Sequence, residues 1–581
     1  MKILTKRIIT ILLVVVIGMG ISIIAWVIIT PSQRGISDKT SPTSSLSYTP
    51  ESIPNIISNS TTFTLLADDG NGTGVDSIEY RIDNGEWTSY TGPFTLEGYT
   101  KRNHTIYYFS TDNAGNEETI NSEIVNLDIP YIYSGVLFAP GVPIDIPEDR
   151  IIKIGTLADF THISGESTFQ GSYSAIKQIN EDGGINITQS TDEAFPNGTY
   201  YFGIIGENTY EAEPLPDVSK GVLAADKLMN QHQPDFVIGG FGTESVMTYL
   251  EIILDEQKIF INTGAAFETF CAMIGSDYAR YKYLFRTMPI NLTSFSKELI
   301  KFYALALKPA MEAAQPGLNV TKVAIIREDL VWTVPMSYVL NGYYAPYGFW
   351  GLNSNPIFNF TIEEEITFPI TATALDFAVY LNMMEMTGVQ IVFPLLSTNA
   401  GIKLMQLYNT MRPKFIIAGL DYMSQLGDYW YQSEGGCNYE IIMQSTTRTN
   451  KTSLTIAMWD SYVYMWDMDP FYTGIGSYDS IFMLLDAIEA TQSIDSDAIV
   501  AELENLTPEN PTEGAGGWVG FNEYHDLYEG YDIGTGKIYG VTLWAQWQSG
   551  GTKSILSSGG YIYPEWIVDA PIQMPPWGIN T

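Results

Sequence analysis

The chain has 581 residues, 45% of them hydrophobic and 16% charged, and its 66 acidic against 29 basic side chains give a formal net charge of −37. At about 150 residues per domain this length predicts roughly three to four units rather than one core. The acidic balance excludes a nucleic-acid partner, because phosphate binding needs clustered Lys and Arg, and the apolar content excludes a wholly disordered chain.

Ile8 to Ile29 is an apolar run interrupted only by Thr10, Ser22 and small glycines. As a helix it would span about 33 Å, enough to cross a bilayer. Lys2, Lys6 and Arg7 precede it, which predicts a cytoplasmic stub and a single-pass membrane anchor over 1–30, with the bulk of the chain extracellular. No A-x-A cleavage site follows, so an uncleaved signal anchor is expected over a removed signal. Residues 31–50, rich in Ser, Thr and Pro, read as a linker.

Between 51 and 128 the pattern is that of β-structure. In SIEYRIDNGEW, Ile78, Tyr80 and Ile82 alternate with polar residues, and Asn84-Gly85 supplies a hairpin turn. His104 to Phe109 alternates likewise and ends in the polar turn Thr111 to Asn116. The stretch resembles the Ig-like β-sandwich modules of prokaryotic surface proteins, on Tyr80, Asp83 to Trp87, Tyr90, Pro93-Phe94, Tyr108, Ser110, Asp112 and Ala114 to Asn116. Asp112, Asn116 and Glu117 offer calcium-type oxygens, although such turn residues more often satisfy backbone groups, and no metal site is expected.

From Ile151 strands and helices alternate, the signature of an open parallel sheet covered on both faces. Strands are expected at Ile151–Leu157, Phe236–Gly239, Ile259–Ile261, Lys322–Ile326, Val389–Pro394 and Lys414–Ala418. Phe169, Tyr173, Ile176 and Ile179 recur at helical spacing before Gly183-Gly184. A long helix over Ser296 to Ala314 would cross to a second lobe, making a bilobal α/β domain over 150–560. Its first lobe would take about 150–290 with part of 455–515, its second about 315–450 with the C-terminal strands, and a Pro-rich tail would follow over 561–581. Cys271 and Cys437 leave pairing open.

Ligands of such sheets sit beyond the carboxyl ends of the strands. The loops placed there are Phe160 to Glu166, Gly240 to Ser245, and Asn262 to Ala266. The second opens a helix, where a hydroxyl and free N–H groups suit a carboxylate, while helix capping by Thr243 or Ser245 is the plainer alternative.

IKIGTLADF, GSYSAIKQINEDGGI, VIGGFGTES, KIFINTGAA, YLFRTMP, KVAIIRED, KFIIAGLD, SYDSIFMLLDAIEAT and QWQSGGTKSIL occur in that order. With them, Ile151 to about Ser557 resembles the type I periplasmic binding proteins, of the leucine/isoleucine/valine-binding kind that serve ABC importers. The resemblance implies a two-lobed fold of open parallel sheets, an amino-acid-like small-molecule ligand, permease and ATPase subunits as partners, and no cofactor. It places the ligand's carboxylate at Thr243 beside Phe241 and Gly242, and contacts to both charged ends at Gly264 and Ala265. It places the ammonium at Asp421, and an aromatic wall at Trp332. Ala266 stands where the family has threonine, and Ser164 and Ser397 align with ligand-facing aromatics of the family, which implies a wider pocket and a changed selectivity.

The histidines, His104, His162, His232 and His525, lie far apart, and no zinc-protease motif, nucleophile elbow or phosphate loop accompanies them, so an enzyme is not expected. The alternative to transport is a ligand-sensing or adhesive receptor using the same cleft.

Overall fold

The computed structural model describes residues 38–48, 56–57, 61–70, 72–83, 85–96, 103–127, 134–143, 145–212, 217–266, 269–344, 349–353, 355 and 357–581. The expected anchor over 8–29 lies outside them, and among the described residues no helix is long and apolar enough to cross a membrane. The chain divides into two compact units, the smaller from the N-terminal part and the larger carrying nearly everything after Val125.

Among the described residues of the smaller unit the regular elements are β-strands. Val75–Ile82 pairs antiparallel with Asn103–Asp112 and with Thr88–Ser89, while Asn84 of the expected turn lies outside the described residues. The expected linker over 31–50 needs correction: Thr43–Ser47 is a strand paired antiparallel with Thr64–Asp68. The cause is distant in sequence. Glu118 accepts hydrogen bonds from the N–H and hydroxyl of Ser44, and from Ser110 and Asn121. A Ser/Thr-rich segment thereby gains partners that composition does not reveal. Asp112, weighed for calcium, accepts from the backbone of Ala114 and Asn116 and from the Asn116 amide.

The larger unit contains two seven-stranded sheets. The first runs Ile185–Ile187, Gly198–Asn208, Ile151–Ala158, Phe236–Gly239, Phe260–Asn262, Leu284–Arg286, with Leu137–Phe138 also paired to Gly198–Asn208. Its four central pairings are parallel. The second runs Thr361–Phe368, Lys322–Glu328, Ile391–Leu396, Ile416–Asp421, Ile441–Gln444, Leu543–Gln548, Thr552–Ile555, with every pairing parallel except the last two. Strands buried on both faces must be apolar nearly throughout, and Ile416–Asp421 and Ile441–Gln444 have every residue buried.

Three crossings tie the sheets together, the last bringing the chain back to Leu543–Gln548 in the second sheet. Asn291 caps a helix over Leu292–Phe302 that continues through a π turn into Lys308–Ala314 and delivers the chain to Lys322. After Gln444 the chain returns to the first sheet's side, where Tyr472–Thr491 packs against Ile163–Glu181. This crossing is close because Gly171 and Gly474 face each other: a Cβ on Gly171 would lie 1.9 Å from the Gly474 carbonyl oxygen. Trp466 Nε1 donates to Ser174 and the Tyr462 hydroxyl to Gln170, fastening the same layer.

The Pro-rich tail packs on the second lobe. Trp577 Nε1 donates to the Pro413 carbonyl, and Asn580 bonds both Lys414 and Val389. Cys437 is a buried free thiol, and burial pushes it up to about 12.

Candidate functional site

The carboxyl ends of both sheets' central strands face one cavity with about 590 Å³ of empty space, its open mouth included. The first lobe supplies Glu211, Ala212, Phe241 to Glu244, Gly264 and Ala266. The second supplies Leu330, Trp332, Ile370, Ser397, Thr398 and Tyr422. The lobes meet across it: the Glu244 carboxylate accepts from the Val331 N–H at 2.9 Å, and the rings of Phe241 and Tyr422 lie 6.2 Å apart.

Six of the expected site residues line this cavity: Phe241, Gly242, Thr243, Gly264, Ala266 and Trp332. They converge because parallel strands end at the same edge. Phe236–Gly239 ends below the first loop and Phe260–Asn262 below the second, and Gly264 lets these loops touch, since a Cβ there would lie 2.2 Å from the Gly240 carbonyl oxygen. Trp332 is held by a hydrogen bond from Nε1 to the Ser397 hydroxyl at 3.3 Å and packs against Tyr422 at 5.6 Å.

Three expected contacts do not line the cavity. Ser164 is fully buried, and its hydroxyl bonds Nδ1 of His162, the residue that caps Ile163–Glu181. Ala265 has both backbone polar groups tied to the Asn262 side chain, its N–H at 2.9 Å and its carbonyl at 2.7 Å. Asp421 points under the helix over Ala400–Met411, where a Cβ on Gly401 would strike its carboxylate. It accepts there from the Tyr429 hydroxyl at 2.7 Å and from the N–H groups of Met423 and Ser424. Its neighbour Tyr422 faces the cavity instead.

The residue most at odds with the sequence reading is Glu211. Its carboxylate lies where a ligand carboxylate was expected: the Phe241 N–H donates to one oxygen at 3.1 Å and the Gly242 N–H to the other at 3.2 Å. The side chain is buried, and burial, aided by the nearby acid Asp159, pushes its pKa up to about 8 against the two amides that lower it. Across the cavity Glu328 does the same for the second lobe. Its oxygens accept from the N–H and hydroxyl of Ser397 and of Thr398, and burial raises its pKa also. The Asn262 side-chain oxygen Oδ1 accepts from the Gly264 N–H at 3.3 Å. By contrast the buried Thr243 hydroxyl has no hydrogen-bond partner among the described residues.

The His162 ring lies tilted beside Phe241 with centroids 5.4 Å apart, and burial lowers its pKa. Glu211 follows the strand Gly198–Asn208, which was not among the expected strands. YFGIIGENTYE does carry the signal of a buried strand followed by polar loop residues.

No protein-family model matches this sequence, and no curated protein matches it. Solved structures do resemble it in fold. A branched-chain amino acid transporter substrate-binding protein from Streptococcus pneumoniae, in complex with isoleucine, superposes with a TM-score of 0.51 at 15% identity, covering 69% of this chain and 97% of its own. A leucine-binding protein from Thermotoga maritima gives 0.52 at 13% identity over 70% of this chain and 97% of its own. An ABC transporter solute-binding protein from R. palustris in complex with benzoate gives 0.53 at 12% identity, over 72% and 99%. From Ile151 onward the chain therefore has the two-lobed α/β fold of the type I periplasmic binding proteins.

Proposed function

We propose that this protein is a solute-binding protein that captures a small polar molecule between its two lobes outside the cell and hands it to an ABC importer. The observation that carries this reading is the cavity itself, walled by strand-end loops of both lobes and crossed by the Glu244–Val331 hydrogen bond, so that ligand contacts and lobe closure coincide. Support comes from the structural neighbours, which are described as transporter substrate-binding proteins. The apolar run over 8–29 would tether the chain to the membrane as a single-pass anchor, with the smaller β-stranded unit, which we read as Ig-like, outside. Capture is favoured over catalysis because the Ser397 and Thr398 hydroxyls donate to Glu328, whose oxygens also hold two amides, an arrangement that fixes a loop rather than activates a nucleophile.

A thermal-shift screen of the full chain against a broad panel of small solutes tests the reading. A ligand at about 1,000 times its Kd should add about 4 kcal/mol of stability. Ala266→Trp, which fills the cavity, should remove the shift. A panel that shifts nothing, or a shift that survives Ala266→Trp, would sink the proposal.

A further inference from the structure

We infer that the ligand is a small organic amine cation without a carboxylate, held with its nitrogen between the Glu211 carboxylate and the rings of Phe241, Trp332 and Tyr422. This rests on the solute-binding reading and narrows it.

The first line of argument concerns what the cavity refuses. A carboxylate ligand needs unoccupied donors or a cation. Six backbone N–H groups of the strand-end loops already have internal acceptors: those of Phe241 and Gly242 go to Glu211, those of Gly264 and Ala265 to Asn262, and those of Ser397 and Thr398 to Glu328. Among the described residues that line the cavity, none is lysine, arginine or histidine, whereas Glu211 and Glu244 are acids. The amides of Phe241, Gly242, Gly264 and Ala265, where the resemblance puts a ligand's carboxylate, are therefore not open to one unless Glu211 or Asn262 gives them up.

The second line concerns what the cavity lacks. Glu211 is buried, and the charge that bears on it most is another acid, Asp159. A buried carboxylate with no cation is costly, and an ammonium group supplies the missing charge. The wall opposite is aromatic: Tyr422 lies 5.6 Å from Trp332 and 6.2 Å from Phe241, its ring tilted at 50° and 63° to theirs. Rings set at angles around a space attract a cation through their quadrupoles. The buried Thr243 hydroxyl, unpartnered among the described residues, adds an acceptor for an ammonium N–H. Leu330, Ala212, Ala266 and Ile370 leave the remaining surface apolar, suited to the hydrocarbon part.

With its pKa at about 8, Glu211 holds a proton in the empty cavity near neutrality, so a cation must expel it. Affinity should therefore rise as pH increases from 6 to 8.5. The ionisable groups facing Glu211 are Asp159, Tyr249 and Tyr472, with Glu244 in the same wall, and both tyrosines stay protonated there because burial raises them.

The test is calorimetric titration of the full chain with compounds that share one hydrocarbon frame: isoamylamine, leucine, 4-methylpentanoate and 4-methylpentanamide, with choline and tetramethylammonium as further cations. At least one amine cation should bind about tenfold or more tighter than leucine, the acid and the amide, the difference expected of one charge-assisted contact. In Glu211→Gln the cation should weaken about tenfold while the acid or leucine strengthens, because two amides lose their anionic partner. Loss of fold cannot produce that reversal. Leucine or the acid binding as tightly as the amines, no binding by any of the cations, or cation affinity unchanged in Glu211→Gln would each overturn the inference. If a solute from the broad panel still binds in the cavity, capture stands without it. If nothing binds at all, both readings fall.

Discussion

Asp526 and Glu211 are both buried carboxylates in the larger unit, and they are satisfied in opposite ways. Asp526 receives a two-pronged bond from Arg286, Nε to one oxygen at 2.6 Å and a terminal nitrogen to the other at 2.5 Å, with the guanidinium fully buried. Glu211 receives two amides, and its pKa is pushed up to about 8. The fold can pair a buried acid with a cation where the purpose is to hold loops together, as at Leu284–Arg286, whose Arg286 bridges to Asp526. Where the acid faces a cavity, no such partner is provided among the described residues. The difference separates a structural carboxylate from one positioned for something that comes and goes.

The largest effect should come from the paired acid. Asp526→Ala strands the Arg286 guanidinium in the interior and should cost about 3–5 kcal/mol in denaturant unfolding, with solute affinity unchanged in the fraction that folds. A cost below about 1 kcal/mol would mean that the pair is not buried in solution, and the contrast would collapse.

The unpaired acid should show itself through pH. Because the folded protein holds the Glu211 proton up to about pH 8, whereas an unfolded glutamate loses it near 4.5, the folded state binds more protons between these values. Stability from this source is therefore highest at low pH and falls as pH rises through the window. Glu211→Gln should retain about 3 kcal/mol more of its stability than the parent on going from pH 5 to pH 8, read from urea midpoints. Parallel pH profiles for the two proteins would show that Glu211 is ionised in the fold and has found a cation.

Asp421 lies between the two cases, since it is buried with its pKa raised, chiefly by burial, yet it faces a helix rather than the cavity. Tyr429→Phe removes the hydroxyl that it accepts from and should cost about 1 kcal/mol, with solute affinity within twofold of the parent. A tenfold fall in affinity would return Asp421 to the ligand's side.

The fate of Asp421 also shows how far the sequence could be read. All six expected strands are present, within two or three residues at each end, because a strand buried on both faces is a continuous apolar run bounded by loop residues. Which loops gather at the cleft follows from the same rule, which covers Phe241, Gly242, Thr243, Gly264 and Ala266, whereas Trp332 was implied by the family resemblance alone. The direction of each side chain was not legible. At the end of Ile416–Asp421, adjacent residues point to opposite sides, so Asp421 goes under the Ala400–Met411 helix and Tyr422 into the cavity. Glu211 was missed for a related reason. Its role is defined by amides of a loop about thirty residues away in sequence, and no local pattern encodes that meeting.

The smallest effect should fall on the aromatic wall. The bond from Trp332 Nε1 to Ser397 is long at 3.3 Å, and the Ser397 hydroxyl keeps Glu328 as its acceptor without it, so Trp332→Phe should change stability by less than about 1 kcal/mol. A phenyl ring still offers a π face to a cation, but a weaker one than indole, so amine affinity should drop only a few-fold, whereas Trp332→Ala should remove the contribution altogether. A neutral solute would respond to the loss of ring area in both variants without regard to pH. If affinity in Trp332→Phe keeps the parent's rise from pH 6 to 8.5, the acid rather than the ring supplies the charge sensitivity, and the contrast between Glu211 and Asp526 reduces to the presence of Arg286 at one and of an exchangeable cation at the other.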